Sequence, residues 1–300
     1  MSTGEIYAQA AARVRRRRMR FTLQLERPLR LRFPAALLRG GLGNLLRRRY
    51  CRSPSQRCHG RHRCAYCELF EARGEAAGGG WAGRQKSAPV PLAIRCEPGE
   101  WAAGRMVVEL FGQAVDHGRV IKDAFEEMGE RGLGRERVRC AFRADEGWQT
   151  VEGCDEGIRR ILGGLSRAGG LRVRSESPLR VKAGGRWAQA VGPRLMIVNA
   201  ARRFSALACE SPEVGSLPAP CRELLERAAS IPLRQVRWVW TDRHRYSSRQ
   251  RRRVPMGGVE GGFELDIPDV DLLFFFALAE SVGIGKGIPF GFGRVKLETA

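Results

Sequence analysis

The sequence lacks the features that carry a chain into or across a membrane. Its longest apolar run, residues 272–279, has only eight members, whereas a membrane-spanning helix needs about 20. The basic stretch at residues 13–20 leads into FTLQLE and not into the apolar core of a secretory signal. A hydrophobic fraction of 43% with 13 Phe excludes a disordered chain. We therefore expect a soluble cytoplasmic protein whose nine cysteines are thiols or metal ligands rather than disulfides.

Lysine is also scarce, and the balance of charge is unusual. Arginine accounts for 48 of the 53 basic residues, and the net charge is +21. A protein this basic usually binds a polyanion, and the planar guanidinium matches phosphate and stacks on bases, which favours RNA. A GC-rich genome explains the ratio of Arg to Lys but not the net charge. Charge alone does not separate RNA from DNA.

The chain contains an internal repeat. Residues 26–32 (ERPLRLR) and 176–182 (ESPLRVK) match at five of seven positions when Arg and Lys are counted as equal, and they lie 150 residues apart. Strand-like and helix-like segments then follow in the same order in both halves. The predicted elements are residues 21–33, 34–49, 92–95, 105–111, 117–128 and 138–143 in the first half, and 171–182, 194–209, 236–243, 263–267, 269–282 and 294–298 in the second.

Each half therefore has the order strand, helix, strand, strand, helix, strand, which is a ferredoxin-like arrangement. We predict an α+β fold of two tandem ferredoxin-like domains, at residues 1–167 and 168–300. Two inserts break the symmetry, a cysteine-containing segment at residues 50–90 and a basic hairpin at residues 243–255. Inserts on a repeated scaffold often carry function.

Four cysteines in the first insert have the spacing of a metal site. Cys51, Cys58, Cys64 and Cys67 form the pattern C-x6-C-x5-C-x2-C. Four thiolates this close can close a tetrahedral structural zinc site. The alternative is a group of reduced, metal-free thiols in a loop.

A glycine-rich run, GIGKGIPFGFGR, occupies residues 283–294. Glycines let a backbone approach a phosphate and turn its N–H groups toward the anion, but the spacing fits neither a Walker A loop nor a dinucleotide fingerprint. The run is either a structural turn or an RNA-backbone clamp. The predicted clamp residues are Gly283, Gly285, Lys286, Gly287, Gly291, Gly293 and Arg294.

Arginines crowd the second insert. Eight of them lie between residues 234 and 253 and would repel one another without an anion, so we expect the hairpin to contact an RNA stem through its shape and phosphates. The arginines at residues 15–18 are expected to form a flexible RNA-binding arm or a solvated terminus. The remaining predicted RNA-binding residues are Arg245, Ser247, Arg249, Arg251, Arg252, Arg253, Arg47 and Arg48.

Together these motifs resemble those of a known family. The glycine-rich run and the helix before it look like the signature loop of the repeat-associated (RAMP) proteins of CRISPR systems. RYSSRQ at residues 245–250, followed by MGGVEG at 256–261, resembles the hairpin of the precursor-CRISPR-RNA processing endoribonucleases among them. LRGGLG at 38–43 and CAYCELF at 64–70 are similar to further motifs of these enzymes. The density of Arg looks most like the processing enzyme of type IV systems.

The resemblance implies two RRM-like ferredoxin domains and metal-independent cleavage of precursor CRISPR RNA at its repeat stem-loop. A ribose 2′-hydroxyl would attack its own phosphate, leaving a 2′,3′-cyclic phosphate and a 5′-hydroxyl. The resemblance also implies a prokaryotic enzyme that stays bound to the mature guide RNA and joins other subunits of an effector complex.

The candidate catalytic residues depart from the usual pattern of that family. Many members carry a catalytic His in the helix after the first strand, but residues 34–49 contain none. His244, in the basic hairpin, is the best candidate general acid or base, and an RNA contact or a solvated position is the alternative. If His244 is idle, arginines carry catalysis alone. The predicted catalytic residues are His244, Arg243, Tyr246 and Arg39.

Two other functions fit the same features. One is a non-catalytic RNA-binding subunit of a CRISPR ribonucleoprotein, which the missing N-terminal His favours. The other is a zinc-dependent nucleic-acid protein with its chemistry at the cysteine insert, although four thiolates leave zinc no open position for catalysis. His117 is expected to be a helix-cap residue rather than a catalytic one.

Overall fold

The computed structural model describes residues 1–31, 34–51, 64–71, 89–96, 99–165, 169–209, 211, 213–247, 252–266 and 268–300. No helix within these ranges is both long and apolar enough to cross a membrane. The cysteine insert and the tip of the basic hairpin therefore lie largely outside the described residues.

The N-terminal half is built on an antiparallel sheet of four main strands. Its elements are α1 (Thr3–Arg13), β1 (Arg15–Leu31), α2 (Pro34–Tyr50), α3 (Ala65–Phe70), β2 (Leu92–Cys96), β3 (Gly99–Phe111), α4 (Gly118–Arg131), β4 (Cys140–Ala144), β5 (Val151–Gly153) and α5 (Cys154–Leu165). The strand order is β2-β3-β1-β4, with β5 paired to the start of β1. On β1, Met19, Phe21 and Leu23 are buried while Arg20 and Thr22 are exposed. This alternation gives the sheet one face toward a core.

The C-terminal half repeats this topology. Its elements are β6 (Gly170–Ser175), β7 (Lys182–Ala183), β8 (Arg186–Trp187), α6 (Pro193–Ala208), α7 (Arg222–Ser230), β9 (Arg234–Thr241), β10 (His244–Ser247), β11 (Arg252–Pro255), β12 (Gly258–Asp266), α8 (Val270–Val282) and β13 (Val295–Thr299). The strand order is β13-β6-β12-β9. In the N-terminal half β1 lies between β3 and β4, and in the C-terminal half β6 lies in the same way between β12 and β13. The predicted tandem ferredoxin-like fold is confirmed.

Some predicted elements differ in extent. β6 ends at Ser175, and in the second copy of the repeated heptapeptide Leu179 forms only an isolated bridge to Val259 of β12 before the short ribbon β7–β8. Residues 26–31 of the first copy lie within β1, where the pairing register with β3 shifts between Gln24 and Leu29. The equivalent sequence thus ends a strand in one half and distorts a strand in the other.

Two helices from the first half of the chain belong to the C-terminal core. Tyr7 of α1 and Ile158 of α5 are buried in the same cluster as Phe275 and Leu278 of α8. The N-terminal sheet has a separate core with α2 and α4. A boundary after residue 167 follows the sheets but not this packing, so the division into two folding units stays a prediction.

The expectation that residues 15–18 form a flexible arm or a solvated terminus is wrong. β1 begins at Arg15, and Arg16 is only 4% exposed because its guanidinium pairs with the fully buried carboxylate of Glu109 on β3. A buried charge requires a partner of this kind. The partner lies 93 residues away in the sequence, so the run of arginines gave no local sign of it.

Arginines also join the two halves. Arg95 of β2 donates to the carbonyl of Ser281 at the end of α8, at 3.0 Å. Arg203 of α6 donates to the carbonyl of Val282 at 2.7 Å and lies over the ring of Phe111, the last residue of β3. These contacts satisfy carbonyls at the C-terminus of α8, where cations are favourable.

Candidate nucleic-acid interface and catalytic site

Arg39 lies where the two halves meet on their helical side. Its guanidinium carbon is 4.8 Å from the ring centre of Phe70 on α3 and 4.4 Å from that of Phe290 in the glycine-rich run. Cation–π contacts with two rings restrict the position of the guanidinium while keeping its charge. The structure thus places a predicted catalytic cation between two aromatic rings that the sequence analysis had not singled out.

The glycine-rich run folds into a compact turn between α8 and β13. All five of its glycines have positive φ angles, from 76° to 86°. A Cβ on Gly285 would lie 2.5 Å from the carbonyl oxygen of Arg180, and one on Gly291 would lie 2.9 Å from Cβ of Ala35 on α2. Glycine is therefore required at these two positions, both because a side chain would collide with neighbouring atoms and because the positive φ angle disfavours other residues.

Most of the N–H groups of this turn bond to the protein itself. Ile284 donates to Gly293, Lys286 donates to Arg180, and Gly293 donates to Pro178, at 2.8 to 3.1 Å. These bonds favour the structural-turn interpretation over a clamp made by the backbone. Within the described part of the chain, the N–H groups of Gly285 and Gly287 have no acceptor, and the Lys286 side chain between them is exposed.

Arg294, the last residue of the run, forms its contacts within the protein. Its guanidinium pairs with Glu176 at 2.7 Å, and its N–H donates to the hydroxyl of Ser177 at 3.0 Å. An RNA contact through this guanidinium would require its ion pair with Glu176 to open.

The predicted RNA-binding arginines at the end of α2 have different surroundings. Arg48 is exposed, and Arg47 lies over the ring of Tyr66.

The basic hairpin consists of β10 paired with β11, with His244 opposite Pro255. His244 is exposed, as are Arg252 and Arg253. Arg243 is 28% exposed and pairs with Glu260 of β12 at 2.8 Å, and the same carboxylate accepts from Thr241 at 3.0 Å. Several predicted positions lie outside what the structure describes, namely residues 249 and 251 entirely, and the side chains of Arg245, Tyr246 and Ser247.

Arg180 connects the hairpin to the glycine-rich turn. Its guanidinium donates to the carbonyl of Gly257 at the base of the hairpin, at 2.6 Å, and its own carbonyl accepts from Lys286. It also lies over the ring of Trp187 at 4.5 Å. Arg180 is part of the repeated heptapeptide, which was the one sequence signal that could have identified it.

The structure brings three of the four predicted metal ligands together. The sulfur atoms of Cys51, Cys64 and Cys67 lie within 4.8 Å of one another. Cys58 lies outside the described residues. Next to this cluster, Glu68 of α3 bonds to Nε2 of His117 at 2.5 Å. His117 occupies the N-cap position of α4, as predicted, but its side chain makes no capping bond.

A basic cleft at the seam of the two halves was not anticipated from the sequence. It has a volume of about 460 Å³ and mixes cations with fewer carboxylates. Its charged lining consists of Arg16, Arg18, Arg95, Arg160, Lys296, Glu109, Glu280 and Glu298. The excess of cations adds to the positive surface that a polyanion requires.

Two family models match this chain. Residues 173–295 match the CRISPR-associated endoribonuclease Cas6, and residues 14–162 match the N-terminal domain AF_1859_N. Among curated proteins, no sequence matches the chain.

The fold is similar to that of several solved structures. A Cas6 product complex is 18% identical with a TM-score of 0.54, over 95% of this chain and 99% of that chain. Thermus thermophilus Cas6 is 14% identical with a TM-score of 0.52, over 95% and 99%. A partial Cas6-RT-Cas1–Cas2 complex is 12% identical with a TM-score of 0.57, over 96% of this chain and 46% of that chain. At these identities the likeness concerns the fold alone.

Proposed function

We propose that this chain cleaves precursor CRISPR RNA at the repeat stem-loop, because its residues 173–295 match the CRISPR-associated endoribonuclease Cas6. The proposed reaction is metal-independent attack by a ribose 2′-hydroxyl on the adjacent phosphate, giving a 2′,3′-cyclic phosphate and a 5′-hydroxyl. The enzyme then stays on the mature guide RNA and associates with other effector subunits. The 48 arginines support assignment to a type IV system.

The observation that carries the proposal is the stacked guanidinium of Arg39. The five-coordinate phosphorane gains negative charge, and a preorganised cationic donor stabilises it by about 10²- to 10³-fold in rate. The aromatic rings of Phe70 and Phe290 hold Arg39 in one orientation before RNA arrives. In this proposal Arg39 acts from α2, the helix in which many members of the family carry a catalytic His.

Proton transfer is assigned to the hairpin. His244 is exposed and so is open to RNA, and a positioned general acid or base contributes about 10²- to 10⁴-fold. Arg243 is already paired with Glu260, so its help to the phosphorane requires RNA phosphate to compete with that carboxylate. Tyr246 completes the proposed catalytic set. Lys286 and the exposed hairpin arginines supply contacts to the RNA backbone.

The test is cleavage of the cognate repeat RNA in excess EDTA, with 2′-deoxyribose placed in turn at each position of the stem base. We expect cutting in EDTA that a single deoxy substitution abolishes, and a cyclic phosphate on the upstream product. The zinc content of the protein is measured after the EDTA step, so that removal of a bound metal is not mistaken for metal-dependent catalysis. Tight binding without cutting would identify a non-catalytic RNA-binding subunit instead.

A variant series assigns the chemistry. Arg39→Ala is expected to lower the cleavage rate about 100-fold with little change in RNA affinity, and Arg39→Lys is expected to restore little, because an ammonium does not stack as a planar fork. Arg222→Ala on α7, where the side chain is 91% exposed, is the matched control. Equal rates for the Arg39 variants and the control would remove Arg39 from the mechanism.

A further inference from the structure

The cysteine cluster has the dimensions of a metal site. The sulfur atoms of Cys64 and Cys67 are 3.3 Å apart, which is too far for a disulfide bond of about 2.05 Å. All three sulfurs, including that of Cys51, lie within 4.8 Å. In a tetrahedral zinc site with Zn–S bonds of about 2.3 Å, sulfurs are about 3.8 Å apart. Three sulfur atoms that all lie within 4.8 Å of one another are compatible with that spacing.

We propose that Cys51, Cys64 and Cys67 bind one zinc ion that fastens α3 to the end of α2 and thereby sets the position of Arg39. Cys51 directly follows α2, Cys64 directly precedes α3, and Cys67 lies within α3. Thiolates are the ligands that zinc prefers in structural sites. The metal would therefore join the two helices at one point.

A metal would add to the packing that stabilises α3, which is too short to persist alone. It has six residues, whereas isolated helices shorter than about 12 residues are marginal in water. Cys51 and Cys67 are nonetheless 6% and 3% exposed, so their side chains are ordered within the protein. Metal bonds at Cys64 and Cys67 would add to this burial in stabilising a helix of this length.

Two side chains of α3 contact its neighbours. Phe70 stacks on Arg39 at 4.8 Å and approaches α2 so closely that a Cβ on Gly43 would lie 3.0 Å from its ring. Glu68 bonds to His117 at the start of α4. A shift of α3 would therefore move one of the two rings that orient Arg39. This second part of the proposal rests on the proposed function.

The metal is tested first, without any activity measurement. Full-length protein is expected to contain one equivalent of zinc, and Co²⁺ in its place should give the visible absorption of tetrahedral thiolate coordination. Cys51→Ser, Cys64→Ser and Cys67→Ser should each lose the metal, while Cys221→Ser, at an exposed position, should keep it. Zinc-free wild-type protein, zinc retained by all four variants, or the visible absorption of an iron–sulfur cluster would each overturn the proposal.

Phe70 is a positioning residue in this proposal, and its substitution tests the second part in zinc-loaded protein. Phe70→Ala is expected to keep its zinc and its KM for RNA while kcat falls about 10- to 100-fold, and Phe70→Tyr should restore kcat. Wild-type kcat in Phe70→Ala would overturn the link from the metal to Arg39. Zinc-loaded wild-type protein that binds RNA without cutting would instead refute the proposed function and leave the metal site standing.

Discussion

At the scale of a single residue, the carboxylate of Glu109 explains how β1 can begin with buried arginines. It is fully buried, pairs with Arg16, and lies 2.5 Å from Nε of Arg95 and 4.0 Å from Nε of Arg18. Burial by itself raises the pKa of the Glu109 carboxyl, but the charges of Arg95 and Arg16 outweigh burial and lower the pKa to about 2. One carboxylate thus compensates several cations at the seam between the halves.

Substitution of Glu109 is expected to be strongly destabilising. Glu109→Gln should lower the free energy of unfolding at pH 7 by about 3–5 kcal/mol, because it leaves buried arginines without their counter-charge. Urea denaturation measures this change. Glu136→Gln is the matched control, since its partner Arg27 and Glu136 itself are both 57% exposed and such pairs contribute little. An equally small loss in both variants would contradict the assigned role.

The same ionisation predicts how stability depends on pH. The pKa of Glu109 is lower in the folded protein than the value of about 4.3 for an unfolded glutamate. The stabilisation that its ionised carboxylate gives the folded protein is therefore complete above about pH 4.3. It is lost as the pH falls toward 2. The difference in stability between wild type and Glu109→Gln should therefore shrink over that interval, provided both remain folded.

At the scale of elements, the glycine-rich turn is the part that brings the C-terminal half onto α2. Gly291, with a φ of 85°, faces Ala35 of α2 at a distance that leaves no room for a methyl group. Gly291→Ala should lower the free energy of unfolding by about 2 kcal/mol from backbone strain alone. Gly40→Ala is the control, because a Cβ at Gly40 meets nothing within 4 Å, and alanine should raise helix stability by up to about 1 kcal/mol. Thermal unfolding measures the change in stability of both variants. An unchanged stability of Gly291→Ala would contradict the requirement for glycine at this position.

How far the sequence predicted these elements depended on whether their signals were local. The alternation along β1 and the repeated order of segments predicted both sheets, because strand faces and turns are encoded over a few residues. α1 was missed because its buried residues are mostly small, Gly4, Ala10 and Ala11 beside Tyr7. α5 was missed because three of its 12 residues are glycines, which are poor helix formers.

The candidate site, like the secondary-structure elements, could be predicted only where its sequence signals were local. The cysteine cluster was predictable, because Cys51, Cys64 and Cys67 lie within a short stretch whose spacing itself limits the geometry. The stacking of Arg39 was not, since Phe70 and Phe290 come from other elements, one of them in the opposite half. The pairing of Arg243 with Glu260 was also hidden, because Arg243 lies between β9 and β10 while Glu260 lies on β12, and no sequence pattern connects the two.

At the scale of the whole molecule, the two ferredoxin-like units share parts. α1 and α5 precede residue 168 but pack on α8 in the C-terminal core, and Arg203 of α6 and Arg95 of β2 donate to carbonyls at the end of α8. Removal of the first 167 residues would expose the apolar surface of α8 to water, and apolar burial is the main favourable contribution to folding. The sheets are duplicated, but the cores are not independent.

We therefore predict that the full chain unfolds in one transition, coincident by circular dichroism and tryptophan fluorescence, as expected for a single cooperative unit. A fragment comprising residues 168–300 should lack a cooperative transition, because Tyr7 and Ile158 no longer cover α8. A fragment of residues 154–300 should recover part of the stability, since α5 is restored while α1 is still missing. If residues 168–300 alone unfolded cooperatively at the temperature of the full chain, the boundary predicted from the sequence would also be a boundary of folding, and the packing of α1 and α5 on α8 would contribute nothing to stability.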